Sequence, residues 1–395
     1  MGIFNKLYKR ILTETTKDII NINNFEVITV DDFLNDEVAT GHAMNVNIKG
    51  KKSKTVTEAQ TDTGDAEVTP IDIDALKQQR LGKASQELDI AKRPERMLHK
   101  SNIVDENGNL INNEELKKKI TQRPTYIIGQ NEKLGKSGTN GQIYYDLTLP
   151  SYMGLFVDES TGDFKVVKTC PSAGTCSKYC YAAKGGYVMF PASSMSASRT
   201  VNYLMNDPAG FEAQVLSELA REEKHAAKKK WTVTLRWHDS GDFLSEKYLK
   251  LAFDIARKTP SILHYAYTKQ IPLIHKLEAE KPDNFVFNFS FGGKYDKMIN
   301  PLVDKHSRVI PANLFSDLPH EKTPTSVIFT PAAIDMLKTR TANTYKVDKK
   351  SVITYDELME LPISTNKKWN VLVWKGHGDD AAARKDVLGT YLLFH

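Results

Sequence analysis

Cys170, Cys176 and Cys180 are the only cysteines of the 395-residue chain, and all three fall within eleven residues. Pro171 and Gly174 lie between them, so the C-x5-C-x3-C run reads as a turn-rich loop on which three thiols can meet without distorting a helix or strand. Thiolates are soft donors, and three of them leave one coordination position open, the condition for a catalytic metal rather than a closed structural one. An iron-sulfur cluster held in this way would expose one iron to a substrate or cofactor. Zinc would instead draw a fourth ligand, such as His238, from elsewhere in the chain. A disulfide would leave one cysteine over, and a chain this long needs no staple. Free thiols are the remaining alternative.

Further along, polar residues recur just after apolar runs. His238-Asp239-Ser240-Gly241-Asp242 follows WTVTLRW, Thr268-Lys269 follows LHYAY, and Ser290, ahead of Gly292-Gly293, follows FVFNF. If the runs are parallel strands, their C-terminal ends deliver these groups to one edge, where α/β folds place chemistry. His238, Asp239 and Lys269 are the catalytic candidates, with Ser240, Asp242 and Ser290 as candidate cofactor contacts. Ser240 and Asp242 read equally well as caps of the helix that follows.

The elements that must position these groups follow from periodicity. From Trp231 onward a β-rich run and a helical run alternate, the pattern of a parallel sheet. Strands are expected at Trp231–Trp237, Leu263–Tyr267, Phe285–Phe289, Arg308–Pro311 and Ser326–Phe329, with helices at Leu244–Lys258, Ile271–Glu280 and Tyr295–Lys305. Ahead of them, Tyr144–Leu149 reads as a strand, and Gly154–Asp158 and Phe164–Lys168 as a hairpin that leads into Cys170; helices follow at Ala192–Met205 and Phe211–Lys230. The expected fold is α/β, a partial or closed (β/α) barrel with parallel strands, preceded by a small β-hairpin region and a largely extended N-terminal region.

The first 123 residues differ from the rest. They hold four aromatic residues (Phe4, Tyr8, Phe25 and Phe33) and none of the four tryptophans, too little for a large core. Phe4, Leu7, Tyr8, Ile11 and Leu12 follow helical spacing opposite Lys6, Lys9 and Arg10, a short amphipathic segment that packs on its own protein or meets a partner. Gly50–Asp74 is polar and threonine-rich and reads as a linker, with weak helical patterning at Ala75–Ile90 and Asn113–Ile120. Residues 1–123 therefore read as partly disordered arms with short helices, and residues 124–395 as a metal-binding, barrel-like domain. The ending of Gly129–Ser137 imitates a phosphate loop, but its first glycine is misplaced and a strand-like run follows it instead of a helix.

Composition narrows the function class. A net charge of +5 and a pI near 8.7 are too weakly basic to imply nucleic acid without a localised patch. Three clustered cysteines point to a reducing compartment, the cytoplasm. No apolar run is long enough to span a membrane.

The run TCPSAGTCSKYCYAAKGGY, with RWHDSGDF, HYAYTK and NFSFGG after it, resembles the bacteriophage gene-product-88-like family over about Leu134–His395. Less closely it is similar to the radical S-adenosylmethionine superfamily, whose partial barrels carry a three-cysteine [4Fe-4S] cluster on the loop after the first strand. That superfamily spaces its cysteines C-x3-C-x2-C with an aromatic before the last, and Tyr179 fills that place here. The resemblance implies that Cys170, Cys176 and Cys180 ligate the cluster and that His238–Asp242 lies beside the cofactor. It implies further that the open iron chelates S-adenosylmethionine and that one electron cleaves the sulfonium to a 5′-deoxyadenosyl radical. Tyr181, Tyr265 and Tyr267 become candidate neighbours of the adenosyl group. At Trp374–Asp380, glycines flanking His377 form either a tight loop reaching the site or the start of a helix over Ala381–Val387.

Two function classes follow. One is a phage-encoded radical-type iron-sulfur enzyme in the host cytoplasm, acting on a small molecule or a nucleic-acid component. The other is a zinc-stabilised binding module in phage replication or host takeover. The N-terminal arms are free in either case to contact a protein partner.

Overall fold

The structure, a computed structural model, describes residues 64–82, 87–137, 141–183, 186–300 and 303–310. It also describes the shorter stretches 320–322, 327–329, 352–353, 355–364, 369–373, 378 and 380–393. The amphipathic segment at Phe4–Leu12 and His377 lie outside the described residues.

Strand β1 (Val68–Pro70) and helix α1 (Ile73–Leu81) come first, then α2 (Asn113–Ile120), β2 (Ile128–Gly129) and β3 (Gln142–Leu147). The hairpin of β4 (Met153–Val157) and β5 (Phe164–Lys168) leads to helices α3 (Pro191–Asn206) and α4 (Pro208–Ala227). After them run β6 (Thr232–Trp237), α5 (Glu246–Lys258), β7 (Leu263–Thr268), α6 (Ile271–Lys276), β8 (Phe285–Ser290) and β9 (His306–Ile310). A small pair, β10 (His320–Lys322) and β11 (Val327–Phe329), precedes β12 (Val352–Ile353), α7 (Tyr355–Glu360), β13 (Trp369–Val373), α8 (Asp380–Ala383) and β14 (Val387–Leu393).

The main sheet has nine strands in the order β12-β13-β14-β9-β8-β7-β6-β3-β2, and every pairing in it is parallel except β2 with β3. This is the parallel α/β sheet expected from the alternating runs. Among the described residues β2 and β12 stand at opposite ends of the order, so the sheet is open and a closed barrel is not seen. Its central strands are buried on both faces, with Val233, Leu235 and Trp237 of β6 on one side and Thr234 and Arg236 on the other. Val233, Leu235 and Trp237 of β6 pack toward α4 and α5, where Trp237, Phe253, Phe285 and Phe287 form an aromatic core with Phe285 and Phe287 stacked at 4.7 Å. Full burial of each such side chain contributes about 1.5–3 kcal/mol. Tyr144, Tyr265 and Val286 face the other side, against Ala382 and Ala383.

Local chemistry sets the helix ends. Ser245 caps α5 by accepting the Tyr248 N–H at 3.2 Å, and Arg257 and Lys258 occupy its last turn. Pro191 and Pro208 begin α3 and α4, where a missing N–H costs nothing.

Four expectations change. Val68–Pro70, inside the supposed linker, pairs antiparallel with β5. Beside it Ile73, Leu76, Leu116 and Ile120 share a second core with Leu155, Val157, Phe164 and Val166 of the hairpin, so residues 64–120 build on the hairpin. Among the described residues, Tyr295–Lys305 yields the short turn Asp296–Met298, and the Asp296 carboxylate is drawn back to the backbone of Gly292 and Gly293. Val327–Phe329 joins the separate antiparallel pair rather than the parallel sheet, and the helix at Asp380 stops at Ala383. No helix among the described residues is long and apolar enough to cross a membrane.

Candidate functional site

The cysteine loop leaves β5 through Thr169, whose hydroxyl donates to the Pro150 carbonyl at 2.7 Å. It then lies down on the Gly292-Gly293 turn that follows β8. Ala173 bridges Gly293, and the N–H groups of Gly174 and Cys176 both donate to the Gly292 carbonyl, at 3.2 and 3.0 Å. Such close docking requires glycine. A Cβ on Gly174 would stand 2.8 Å from the Gly293 carbonyl group, and Gly292 has φ +96° with the Tyr179 hydroxyl 2.6 Å from where its Cβ would be.

The three thiols are half-buried and unlinked. Cys170 Sγ accepts the Tyr152 N–H at 3.3 Å, and Cys180 Sγ accepts from the backbone of Ala182 and Ala183. Burial pushes the Cys170 thiol well up, and the charges of Asp242, Cys180 and Cys176 add to it. Burial also raises Cys180, with Cys176 adding to the shift and Lys269 opposing it. Cys170 thus feels the other two thiols, and Cys180 feels Cys176. Among the described residues, however, no three His, Cys, Asp or Glu side chains gather closely enough to hold a single metal ion.

Asp242 ties the strand ends together. Its carboxylate accepts the Phe243 N–H at 2.8 Å, the Thr268 hydroxyl at 2.7 Å and the Lys269 N–H at 2.9 Å, while its own N–H donates to Thr169 at 2.8 Å. It caps no helix. Lys269 extends to Ser290 Oγ at 2.7 Å, and Ser172 of the cysteine loop donates to Gln270 at 2.7 Å. Asp242, Lys269 and Ser290 therefore converge with the cysteine loop.

His238 and Asp239 diverge from it. At φ +61°, the His238 backbone turns the ring into the aromatic core, where Nε2 meets the Tyr248 hydroxyl at 2.9 Å and Phe243 packs edge-on at 4.6 Å. Burial pushes its pKa down to about 3, so the ring is neutral. Asp239 pairs with Arg236 at 2.9 Å and accepts from the Tyr187 hydroxyl. Tyr267 lies under the Arg236 guanidinium at 5.0 Å, and Tyr265 is fully buried against Tyr144 at 6.3 Å. Tyr181 is exposed and meets Tyr187 edge-on at 6.1 Å. Ser240 is buried at the wall of a cleft beside the loop.

Asp146 is a residue that the sequence reading passed over. It is buried at the end of β3 beside Arg236, and burial, then the charge of Asp239, pushes it up to about 7. Its signal was a lone carboxylate in the apolar run IYYDL, which no strand interior admits without a partner.

A family model described as Gene product 88 matches residues 119–381. The chain belongs to the Gene product 88 family, a family of phage gene products. The Gene product 88 match takes in the three cysteines, Asp146, Asp239, Asp242, Lys269 and Ser290, and begins downstream of β1 and α1. No curated protein matches the chain, and no solved structure does.

Proposed function

We propose that the chain is a phage-encoded iron-sulfur enzyme of the radical S-adenosylmethionine type, in which Cys170, Cys176 and Cys180 hold a [4Fe-4S] cluster in the host cytoplasm. The observation that carries this reading is the docking of a three-cysteine loop on the C-terminal ends of parallel strands β7 and β8.

The donor set fits the group. A single ion draws its thiolates to within about 2.3 Å of one point, whereas a four-iron cluster holds them on a wider triangle. In this reading the three thiols, carried on one turn-rich loop, would close on the cluster as it binds. Backbone N–H groups already aimed at Cys170 and Cys180 are the kind that stabilise bound thiolates and tune a cluster's potential. When bound, the cluster supplies one electron to the sulfonium of S-adenosylmethionine at its open iron.

The chain's own side chains do the rest. Lys269, anchored on Ser290, puts a positive charge beside Cys180 and offsets the thiolates. Asp242 fixes the turn that carries Lys269, and Gly292-Gly293 lets the loop approach. His238 serves the core behind the site, so the protein groups nearest the cofactor are Lys269 and Ser290.

Anaerobically purified protein should be brown, with about four irons per chain. Cys170→Ala, Cys176→Ala and Cys180→Ala should each abolish iron retention, and their effects should not add, because a cluster lost once cannot be lost twice. Dithionite-reduced protein incubated with S-adenosylmethionine should release 5′-deoxyadenosine, read by chromatography. A colourless protein with one zinc per chain, or a loaded cluster that yields no 5′-deoxyadenosine, would overturn the reading.

A further inference from the structure

A shallow cleft enclosing about 60 Å³ and opening to solvent lies between the segment Ile90–Met97 and the residues that follow Cys180. Leu149, Met153 and Ala182 give it an apolar floor, and Arg96 and Ser240 are among its polar groups.

Two features of this cleft lack an answer among the described residues. The Ser240 side chain is 4% exposed, and its hydroxyl has no hydrogen-bond partner among the described residues. A buried hydroxyl left in that state costs about 1–3 kcal/mol until a water or a ligand completes it. Arg96 is the second. Its guanidinium donates to the Ala183 carbonyl, which occupies one of the five N–H donors that an arginine carries. Its neighbour Arg93 is neutralised by Glu95 at 3.0 Å and donates to the Glu87 carbonyl at 3.2 Å, but Arg96 forms no ion pair among the described residues. Burial holds the Arg96 pKa below its usual range, the like charges of Arg93 and Arg80 deepen the effect, and the charges of Glu95 and Cys180 oppose it. The cleft thus carries positive charge in excess, above an apolar floor, with an unmet hydroxyl in its wall. Polar groups that converge over an apolar floor are the mark of a small-molecule site.

We infer that this cleft binds a small organic anion, a carboxylate or a phosphate, whose charged group pairs with Arg96, whose polar edge meets Ser240, and whose apolar body lies on Leu149 and Met153. The inference stands on the cleft alone and does not need the cluster. Arg96 lies upstream of the family match at 119–381, so the residue that selects the anion belongs to the N-terminal segment.

The full-length protein, titrated calorimetrically with phenyl phosphate, benzoate and uncharged benzyl alcohol, tests this. One of the two anions should bind at least about tenfold more tightly than the alcohol, about 1.4 kcal/mol, and should weaken as salt rises. Tighter phenyl phosphate assigns a phosphate ligand, and tighter benzoate a carboxylate. Arg96→Gln should cut anion affinity about tenfold or more. Ser240→Ala guards against a folding artefact: removing an unmet buried hydroxyl should leave the melting temperature of the free protein unchanged or higher, while the anion binds several-fold more weakly. Anions that bind no better than benzyl alcohol would overturn the inference, as would wild-type affinity in Ser240→Ala.

Discussion

Asp146, buried at the end of its strand, and Asp239, partly buried, are neighbouring carboxylates that share one guanidinium, that of Arg236. Arg236 is the register partner of Asp146 across β3 and β6, and it reaches Asp239 at 2.9 Å. Burial, and then the second carboxylate that one cation leaves unanswered, keeps a proton on Asp146 up to about pH 7. Unfolded, the same group titrates near its ordinary 3.8. The folded state therefore binds the extra proton between those values, and the stability this confers is complete below pH 3.8 and lost as pH rises to about 7. Asp146→Asn, neutral at every pH, should stabilise the protein above pH 7 by on the order of 2 kcal/mol and remove this slope. Urea unfolding at acid and alkaline pH measures it; a mutant whose pH slope matches the wild type would refute the assignment.

Three buried histidines act in the opposite sense. Burial pushes His238 and His264 down to about 3 and His306 down to about 4, from an ordinary 6.5. The unfolded chain takes up their protons first, so the stability gained by keeping them neutral is present above pH 6.5 and lost as pH falls toward 3–4. His238→Asn tests one of them, since asparagine accepts the left-handed backbone at that position. Its unfolding should depend less steeply on pH between 4 and 6.5, and iron retention should survive, because the ring points into the core. Loss of iron in a folded His238→Asn protein would place the ring at the metal after all.

Gly292→Ala should cost far more than Gly108→Ala. Both glycines have positive φ, +96° and +82°, so each change carries backbone strain of about 1 kcal/mol. A Cβ at Gly108 meets nothing within 4 Å, but one at Gly292 would sit 2.6 Å from the Tyr179 hydroxyl and 3.1 Å from Cys176 Cβ. The Gly292 variant should push the cysteine loop off its seat and lose iron, read by absorbance and metal analysis. Equal iron content in the two variants would mean that the loop does not depend on that seat.

Deletion of residues 1–123, the boundary that composition suggests, should leave a protein that does not fold cooperatively. It would strip β1 from β5 and expose Leu155, Val157, Phe164 and Val166, each buried now by α1 and α2. Every such side chain returned to water costs about 1.5–3 kcal/mol, and a domain has only about 5–15 kcal/mol to lose. Deletion of residues 1–63 alone should keep a cooperative melt. Thermal denaturation followed by circular dichroism separates the two, and a cooperative melt of the shorter protein would show the hairpin core to be dispensable.

The sequence by itself determined the parallel sheet, the hairpin that delivers the cysteines, and the approach of Lys269 and Ser290 to their loop. All of these follow from local periodicity, since an apolar run bounded by polar residues is a strand whose end is chemical wherever the chain leads it. What it could not determine was which way a side chain turns after the strand ends. His238 and Asp239 are adjacent in sequence, yet one backbone angle of +61° sends the imidazole into the aromatic core, while Asp239 pairs with Arg236 and Tyr187. Nor did composition show that Val68–Pro70 is a strand, because three exposed residues carry no pattern until β5 offers its edge. Asp146 escaped for the same reason: its neighbour Asp239 is 93 residues away in the chain, and only the pairing of β3 with β6 brings the two carboxylates onto one arginine. Local propensity writes the elements, and contacts between distant segments decide which of their polar groups face one another.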